Sequence, residues 1–303
     1  MPLFKLKKYA LLKFILIAGL VCSLNVYGQT APYRSVNFGS GANQYSMDFV
    51  DIGYAGNAGF THTNQNGRTT TRGGVNYDYS IGKYEVTSSQ YERSFTNANS
   101  IWSGSQPAGR LNFLSAAAFA NFLTSGDGQK GVYKFDPFGE PVSIDRAAAL
   151  MTYGTIYAIP TDDEWYKAAF FKADGSGYST YTTGERKPVE GVDAKYNFAG
   201  ATQYPWDVGS GTEENNGTYD MFGNVGEWLE DEVDGDPAWR GTAGGSYGSY
   251  EPITKFDNSG RYLTSTGSLY LGFRVVSLTL VPEPTSTALL ALGGLAVMMR
   301  RRR

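Results

Sequence analysis

The amino-acid sequence predicts a mixed α+β domain in which short strands, a few short helices and long ordered loops share one core. Two observations support this expectation. Glycine occurs 38 times and tyrosine 22 times among 303 residues, while charged residues make up only 18%. This composition is typical neither of a disordered chain nor of a helical bundle. In addition, clear helix-start signals occur at only three places, so we expect few helices.

The predicted strands lie early in the domain. The segment SMDFVDIGYAGN, 46–57, alternates enough to form an opening strand, and Tyr77, Tyr79 and Ile81 repeat this period. Residues 61–74 are polar and rich in glycine and threonine, which predicts an exposed loop. This loop contains the only histidine, His62. We expect its ring to be solvated, because no second histidine could share a metal ion with it.

The three helix starts are predicted from capping residues. Thr87 with Gln90, and Thr161 with Glu164, form capping boxes, in which each side chain satisfies a backbone N–H that the helix leaves unpaired. Ser115 is the expected cap of the stretch SAAAFANFLT. After residue 172, as far as Val276, the chain is expected to form loops and short strands without a long helix.

The first 28 residues are predicted to be a secretory signal peptide. Lysines precede a mostly apolar stretch, Phe14–Val26, and Gly28 is small enough to end a cleavage site. The alternative is a retained N-terminal anchor. The chain's one cysteine, Cys22, lies inside this segment. A processed chain would therefore contain no disulfide, no thiolate metal ligand and no cysteine nucleophile.

The other end contains a second targeting pattern. A Pro-Glu-Pro turn precedes an apolar stretch, Ala288–Met299, which four arginines follow. The stretch is shorter than the roughly 20 residues that span a bilayer, and the arginines favour a cytoplasmic end. Residues 278–303 resemble the PEP-CTERM sorting signal of Gram-negative bacteria. The resemblance implies recognition by an exosortase, at least transient membrane contact, and delivery to the envelope surface or the exterior.

The two ends of the chain are basic, whereas the domain between them is acidic. Leaving out the four lysines near the start and the four terminal arginines, 18 basic residues face 29 acidic ones, a net charge of about −11. Nucleic acid is bound largely through neutralised phosphates, so the domain is not expected to bind it. An acidic domain is instead suited to attract cations.

Six segments follow one another along the domain: GKYEVTSSQY, RLNFLSAAAFANFL, YAIPTDDEWYKAAFF, YDMFGNVGEW, RGTAGGSY and LGFRVV. Together, in this order, they resemble one known family, the formylglycine-generating enzyme or sulfatase-modifying-factor domain. The resemblance covers residues 45–277 and implies a variant C-type-lectin-like α+β fold with little regular secondary structure.

The resemblance implies a structural Ca²⁺ ion in the motif YDMFGNVGEW, 219–228. Its expected ligands are the side chains of Asp220 and Glu227 and the carbonyls of Gly223 and Val225. Calcium prefers six to eight oxygens, mixing carboxylates with carbonyls, and glycine lets the backbone turn its carbonyls inward. The alternative is a plain glycine-rich turn whose acids face water.

A weaker second calcium site would use Asn197 and the Phe198 carbonyl, although its remaining partners are not recognisable. Gly226 stands where the family usually has a bulky aromatic residue, so looser packing is expected there. The acidic segment 230–236 matches no EF-hand spacing and is expected to be a solvated loop.

Active members of this family hold Cu(I) between two cysteines that follow the GGS-aromatic motif, and they oxidise a cysteine of a protein substrate. Ser249 and Thr254 stand at those positions here. Cu(I) selects soft thiolates, and a neutral hydroxyl is a poor ligand for it. A related branch uses iron held by histidines, which one histidine cannot supply. Neither copper nor iron is therefore expected.

Two functional hypotheses remain. The first is a non-catalytic binding or matrix module on the cell surface, with extracellular polysaccharide or a matrix protein as its partner. Its groove would be lined by Tyr247, Tyr250, Arg261 and Tyr262, which could equally be ordinary packing residues. The second is a divergent oxidoreductase of the formylglycine-generating type that acts on a protein substrate.

Overall fold

A computed structural model of the protein describes residues 33–280, except 64–66, 96–97, 99, 137–138, 140, 199–202 and 257–259. The predicted signal peptide, 1–28, and most of the predicted sorting segment, 278–303, lie outside the described residues. No helix in the described part of the chain is long and apolar enough to cross a bilayer.

The domain combines short strands with short α-helices. The helices are α1 (Ser88–Ser94), α2 (Phe113–Ser125), α3 (Arg146–Tyr153) and α4 (Asp162–Phe170). The strands are β1 (Arg34–Phe38), β2 (Tyr45–Ile52), β3 (Phe60–Thr63), β4 (Thr69–Arg72), β5 (Tyr79–Gly82), β6 (Tyr133–Phe135), β7 (Pro141–Ile144), β8 (Thr155–Ala158), β9 (Gly226–Val233), β10 (Asp236–Ala243), β11 (Gly260–Leu263), β12 (Leu271–Gly272) and β13 (Val276–Thr279).

The larger sheet has the strand order β1-β2-β5-β13-β8, and every neighbouring pair is antiparallel. Along β2, Tyr45, Met47 and Phe49 are buried, as the alternation of the sequence predicts for a strand with one buried face. Strand β13, from the far end of the domain, lies between β5 and β8. The first and last parts of the domain therefore belong to one sheet.

The smaller sheet has the order β11-β10-β9-β12, in which only the β9–β12 pair is parallel. Its strand β9 begins inside the motif 219–228, and the glycines of the GGS motif follow β10. The aromatic side chains of α2 fill the core beside both sheets. Phe113 lies 6.0 Å from Trp228 and Phe119 lies 5.4 Å from Phe273, between ring centroids.

Both predicted capping boxes are confirmed. Thr87 Oγ1 accepts from the Gln90 N–H at 3.2 Å, and Gln90 Oε1 accepts from the Thr87 N–H at 2.9 Å. Thr161 Oγ1 accepts from the Glu164 N–H at 3.2 Å, and Glu164 Oε2 accepts from the Thr161 N–H at 2.7 Å. A capping box involves two residues that are three apart in the chain, so it can be predicted from the sequence without the tertiary structure.

Two local predictions are wrong. Helix α2 begins at Phe113, because Asn112 rather than Ser115 is its cap: the Asn112 side chain accepts from the Ser115 N–H at 2.9 Å. The segment 61–74 is not a plain loop, because residues 61–63 and 69–72 belong to the paired strands β3 and β4, and threonine hydroxyls pair across them. His62 lies in β3, half-buried, with its ring centroid 4.9 Å from that of Phe256.

Candidate functional site

The motif 219–228 folds as a tight loop that leads into β9. Three of its residues, Asp220, Gly223 and Asn224, have positive φ angles of 58°, 87° and 50°. At Gly223 a Cβ atom would lie 2.4 Å from the Lys195 carbonyl oxygen, so no other residue fits without backbone movement. The glycine therefore serves close packing of two backbone segments.

A fully buried ion pair fixes the end of this loop. Arg274, from the GFRV segment, donates from Nε and Nη2 to the two carboxylate oxygens of Glu227, both at 2.6 Å. Trp165 Nε1 donates to the same carboxylate at 2.7 Å. Arg274 also donates to the carbonyls of Gly82 at 2.9 Å and Tyr219 at 2.8 Å. A buried charge pair is tolerated where its geometry is good and its remaining polar atoms are satisfied, as here.

Three more carboxyl groups surround this pair. Glu85 accepts from Asn224 Nδ2 at 2.6 Å and from the Val225 N–H at 3.0 Å. Burial raises the pKa of Glu85 well above its usual range, and the nearby charges of Asp220 and Glu227 raise it further. Burial raises the pKa of Glu214 to about 7. These shifts favour the protonated forms, which reduces the excess of negative charge around one arginine.

The residues as arranged do not fit a calcium ion at Glu227. Both carboxylate oxygens of Glu227 are bound by Arg274, whose positive charge would repel a dication on the same group. Asp220 is also engaged, since its oxygens accept from Trp206 Nε1 at 2.9 Å and from the Gly209 N–H at 2.7 Å. In the described part of the chain no three His, Cys, Asp or Glu side chains form a group that could hold a metal ion. The calcium site at Asp220, Gly223, Val225 and Glu227 stays a prediction that this geometry does not favour.

The two residues of the weaker predicted calcium site form hydrogen bonds within the protein. Asn197 and Phe198 both have positive φ angles, 51° and 54°. Asn197 Nδ2 donates to Glu190 Oε2 at 2.9 Å, and the Phe198 N–H donates to the Tyr247 carbonyl at 2.7 Å. This turn attaches the segment 195–198 to the GGS loop, and the second site also stays a prediction.

Ser249 and Thr254 line one cavity of about 210 Å³ beside the loop, called here the hydroxyl cavity. Ser249 Oγ accepts from the Ser246 N–H at 2.9 Å, and Thr254 Oγ1 accepts from the Phe256 N–H at 3.2 Å. The other lining residues are aromatic, apolar, small or hydroxyl-bearing, with one arginine: Arg72, Trp165, Phe170, Gly226, Thr242, Ala243, Gly244, Gly245, Ser246, Ile253, Gly260, Tyr262, Tyr270 and Leu271. Gly226 thus contributes only backbone atoms to the cavity wall. A larger side chain at this position would take up part of the cavity volume.

Charge in the hydroxyl cavity is limited to one side chain. Of the lining residues that the structure describes, Arg72 is the only charged one. The Arg72 guanidinium forms an ion pair with Asp162, with Nε to Oδ2 at 2.6 Å, and lies 4.6 Å from the Tyr166 ring centroid. No carboxylate, imidazole or thiol lines the cavity, so among its described residues no side chain is suited to exchange a proton near neutral pH. The cavity offers hydrogen bonds and aromatic surface.

The four residues of the predicted groove are separated in the structure. Tyr262 lines the hydroxyl cavity. Tyr247 is buried, with its ring 5.0 Å from that of Tyr270, whereas Tyr250 is 74% exposed. Arg261 precedes Tyr262 on β11, so its side chain is directed to the opposite face. There Arg261 pairs with Asp234 at 3.4 Å and lies over the Trp239 ring.

Arg274 and Tyr270 were not identified from the sequence as site residues. The one available signal for Arg274 was a charged residue inside the apolar run GFRVV, since a charge in a buried segment requires a partner. Its partner Glu227 is 47 residues away, and no local pattern identifies it. Tyr270 carried no signal, because it contributes to the cavity only through the fold.

Comparisons with known proteins agree with this architecture. The sequence model of the family described as sulfatase-modifying factor enzyme 1-like domain matches residues 52–278, and that of the PEP-CTERM protein-sorting motif matches residues 280–303. The curated proteins that were compared gave no match.

Solved structures show the same fold. Treponema denticola variable protein 1 is similar with a TM-score of 0.59 and 22% identity, over 80% of this chain and 98% of that one. CarF gives 0.56 and 22%, over 78% and 99%. PvdO from Pseudomonas aeruginosa gives 0.53 and 17%, over 82% and 100%. At these identities the likeness shows the fold alone.

Proposed function

The chain belongs to the sulfatase-modifying factor enzyme 1-like domain family, and we propose that it uses this scaffold as a non-catalytic, surface-associated binding or matrix module. The PEP-CTERM motif marks it as an exported protein with a C-terminal sorting signal and implies recognition by exosortase-type machinery. The location on the envelope surface and the signal peptide in residues 1–28 are parts of the proposal.

The main support for the proposal is the set of residues that line the hydroxyl cavity. Ser249 and Thr254, at the positions that hold copper in active relatives, present hydroxyls. A neutral hydroxyl is a poor ligand for Cu(I), which prefers thiolates. Activating a serine as a nucleophile requires an adjacent base, and the described residues that line the cavity include neither histidine, lysine nor a carboxylate. Binding is the chemistry that these groups support best.

The cavity also suggests what part of a partner it receives. Its volume of about 210 Å³ exceeds the roughly 150 Å³ of an engineered cavity that holds a benzene molecule. The partly exposed rings of Tyr262 and Tyr270 provide flat apolar surface, and hydroxyls provide hydrogen bonds around it. A pyranose ring or a peptide side chain, presented by an extracellular polysaccharide or a matrix protein, matches this combination.

A glycan array followed by fluorescence titration tests the proposal, with Trp165 in the cavity wall as the reporter. The purified exported protein is expected to bind a saccharide saturably. Ser249→Phe should block binding by filling the cavity, and Thr254→Val should weaken it about tenfold if its hydroxyl bonds the ligand. Tyr250→Ala, at an exposed position that does not line the cavity, is the matched control and should bind normally. Saccharide binding that Ser249→Phe leaves unchanged would remove the cavity from this role.

The same preparation tests the competing oxidoreductase hypothesis. The protein is incubated with Cu(I) and a peptide bearing a sulfatase-type cysteine, and both bound copper and peptide aldehyde are measured. We expect neither stoichiometric copper nor aldehyde, because no thiolate lines the cavity. Aldehyde formation above a peptide-only control would overturn the non-catalytic proposal.

A further inference from the structure

A second concavity lies apart from the hydroxyl cavity and shares no lining residue with it. It is a groove of about 760 Å³, formed by residues 54–61 before and within β3, residues 171 and 175–178 after α4, and Lys255. We call it the aromatic groove, because Tyr54, Phe60, Phe171 and Tyr178 all line it. Nothing in the family resemblance or in the proposed function accounts for it.

Tyr54 is held in the aromatic groove in a strained conformation. Its φ angle is 60°, a left-handed value that a bulky residue rarely adopts. The ring covers Gly175, where a Cβ atom would lie 2.6 Å from Tyr54 Cε1. The Tyr54 carbonyl accepts from the buried Lys167 ammonium at 3.1 Å and from the Asn57 N–H at 3.1 Å. Strain of this kind persists where the surrounding structure enforces it, frequently at binding sites.

The other aromatic rings of the groove are also fixed in place. The Tyr178 hydroxyl accepts from Asn57 Nδ2 at 2.8 Å and donates to the Gly73 carbonyl at 2.8 Å. Its ring lies 5.1 Å from that of Phe171 and 5.9 Å from that of Phe60. Tyr54 lies 5.7 Å from Phe171. Rings that are ordered before binding lose little entropy when a flat ligand stacks on them.

The groove presents one cation. Among the described residues that line it, Lys255 is the only charged one and none carries a carboxylate. The Lys255 ammonium lies 5.2 Å from the Phe60 ring centroid and donates to the Tyr178 carbonyl at 3.1 Å. Two carboxylates on the bordering loops, Asp78 and Asp174, accept from backbone N–H groups. Since the Debye length is about 8 Å in physiological salt, the acidity of distant surfaces does not cancel a local cation.

We propose that the aromatic groove binds a saccharide chain that carries carboxylates, of the uronic acid class, with sugar faces on the rings of Tyr54 and Tyr178 and a carboxylate on Lys255. A pyranose ring presents C–H groups on one flat face and hydroxyls around its edge, which matches aromatic surface bordered by backbone polar groups. A carboxylate adds a charge-assisted hydrogen bond to the ammonium. This assignment is independent of the hydroxyl cavity.

Calorimetric titration of the full exported protein with tetragalacturonate and tetramannuronate tests the assignment. The carboxyl-reduced tetramers are the neutral probes, and tetraglutamate is the peptide probe. At least one uronate tetramer should bind, more tightly than its reduced form, and binding should weaken from 50 to 500 mM NaCl. Lys255→Met should weaken uronate binding about tenfold, as expected for a lost bond to a charged group, without affecting the reduced form. Lys130→Met, at an exposed lysine outside the groove, should change nothing.

The aromatic contribution is tested at Tyr54. Tyr54→Gly removes the ring and relieves the left-handed strain, so it should lose uronate binding while the protein melts no earlier than the unmutated one. Tyr54→Phe retains the ring and should retain binding. Ser249→Phe, which blocks the hydroxyl cavity, should leave uronate binding unchanged, so that failure of either site can be recognised separately. The assignment is overturned by absence of uronate binding, by binding insensitive to Tyr54→Gly and Lys255→Met, or by tetraglutamate binding in place of the saccharides.

Discussion

The loop 219–228 and the hydroxyl cavity beside it are adjacent but differ in chemistry. The loop ends in a buried ion pair, Arg274 with Glu227, in which every carboxylate oxygen has a donor. Among its described wall residues the cavity has one charged side chain, Arg72, and otherwise hydroxyls, aromatic rings, apolar side chains and bare backbone. Trp165 and Gly226 border both regions. The difference indicates that the ionic interactions stabilise the scaffold, while the cavity is available for a ligand.

The aromatic groove also has a buried charge that stabilises the scaffold and separate residues that line a concavity. A buried cation, Lys167, satisfies a strained backbone carbonyl, while an accessible one, Lys255, lines the groove. In both places the buried charge forms hydrogen bonds to the backbone, and aromatic rings line the concavity beside it. If this division is correct, substitutions of the buried charges should change stability, and substitutions of the lining residues should change binding.

The largest expected effect comes from breaking the buried ion pair. Arg274→Met should lower the free energy of unfolding by about 3–5 kcal/mol, because it leaves the Glu227 carboxylate buried without its partner. Glu227→Leu should cost a similar amount. The double variant should cost less than the sum, since no unpaired charge remains. Urea unfolding followed by tryptophan fluorescence measures all three.

The exposed ion pair Arg261–Asp234 provides the matched control. Both of its side chains are more than half exposed, and exposed pairs contribute about 0–1 kcal/mol. Arg261→Met should therefore change the free energy of unfolding by less than about 1 kcal/mol. If Arg274→Met costs no more than Arg261→Met, the ion pair does not stabilise the scaffold and the comparison fails.

The second effect is a pH dependence from Glu214. Burial raises its pKa to about 7, above the usual value of about 4.3 in an unfolded chain. Between these values the folded state binds a proton that the unfolded state has lost. The contribution of Glu214 to stability is therefore greatest below about pH 4.3, falls as pH rises to about 7, and levels off above it. The loss is about 3–4 kcal/mol at most. Glu214→Gln, which imitates the protonated acid, should flatten this dependence.

Unfolding at pH 5, 6, 7 and 8 in a chelator checks this expectation. The free energy of the unmutated protein should decrease over the series, and that of Glu214→Gln should decrease less. Glu213→Gln is a suitable control, because the neighbouring Glu213 side chain is 38% exposed and near Lys83. Parallel profiles for the unmutated protein and Glu214→Gln would show that Glu214 is ionised in the folded state.

The sequence predicted those features that depend on neighbouring residues. The capping boxes at Thr87 and Thr161 are confirmed, since a helix start involves residues three apart. Ser115 failed as a cap because Asn112 is as good a cap, and only the burial of Phe113 decides between them. The hairpin β3–β4 was missed because threonine favours both loops and strands, and its cross-strand pairs form only after folding.

The motifs predicted the family and the position of the hydroxyl cavity, but not the partners of its residues. Arg261 and Tyr262 were expected to line one groove, although neighbours on a strand point to opposite faces. The group that neutralises Glu227 could not be identified from the sequence, because the sequence records only a glutamate, whether its carboxylate binds calcium or arginine. That distinction depends on where Arg274 is placed by the long-range pairing of β13 with β5 and β8.

The smallest expected effect is an unchanged melting temperature. It tests whether Arg274 or a calcium ion neutralises Glu227. Because Arg274 already neutralises Glu227, the unmutated protein should melt at the same temperature in 1 mM CaCl₂ and in excess EDTA. A bound ion would instead stabilise it by about 2.7 kcal/mol at a hundredfold excess over its Kd, a shift of several degrees. Arg274→Met provides the sensitive comparison, since its unpaired carboxylate could then accept calcium and regain stability. A calcium-dependent rise in the unmutated protein would show that Arg274 and the ion share the loop, and that the predicted ligands Asp220, Gly223, Val225 and Glu227 rearrange to bind it.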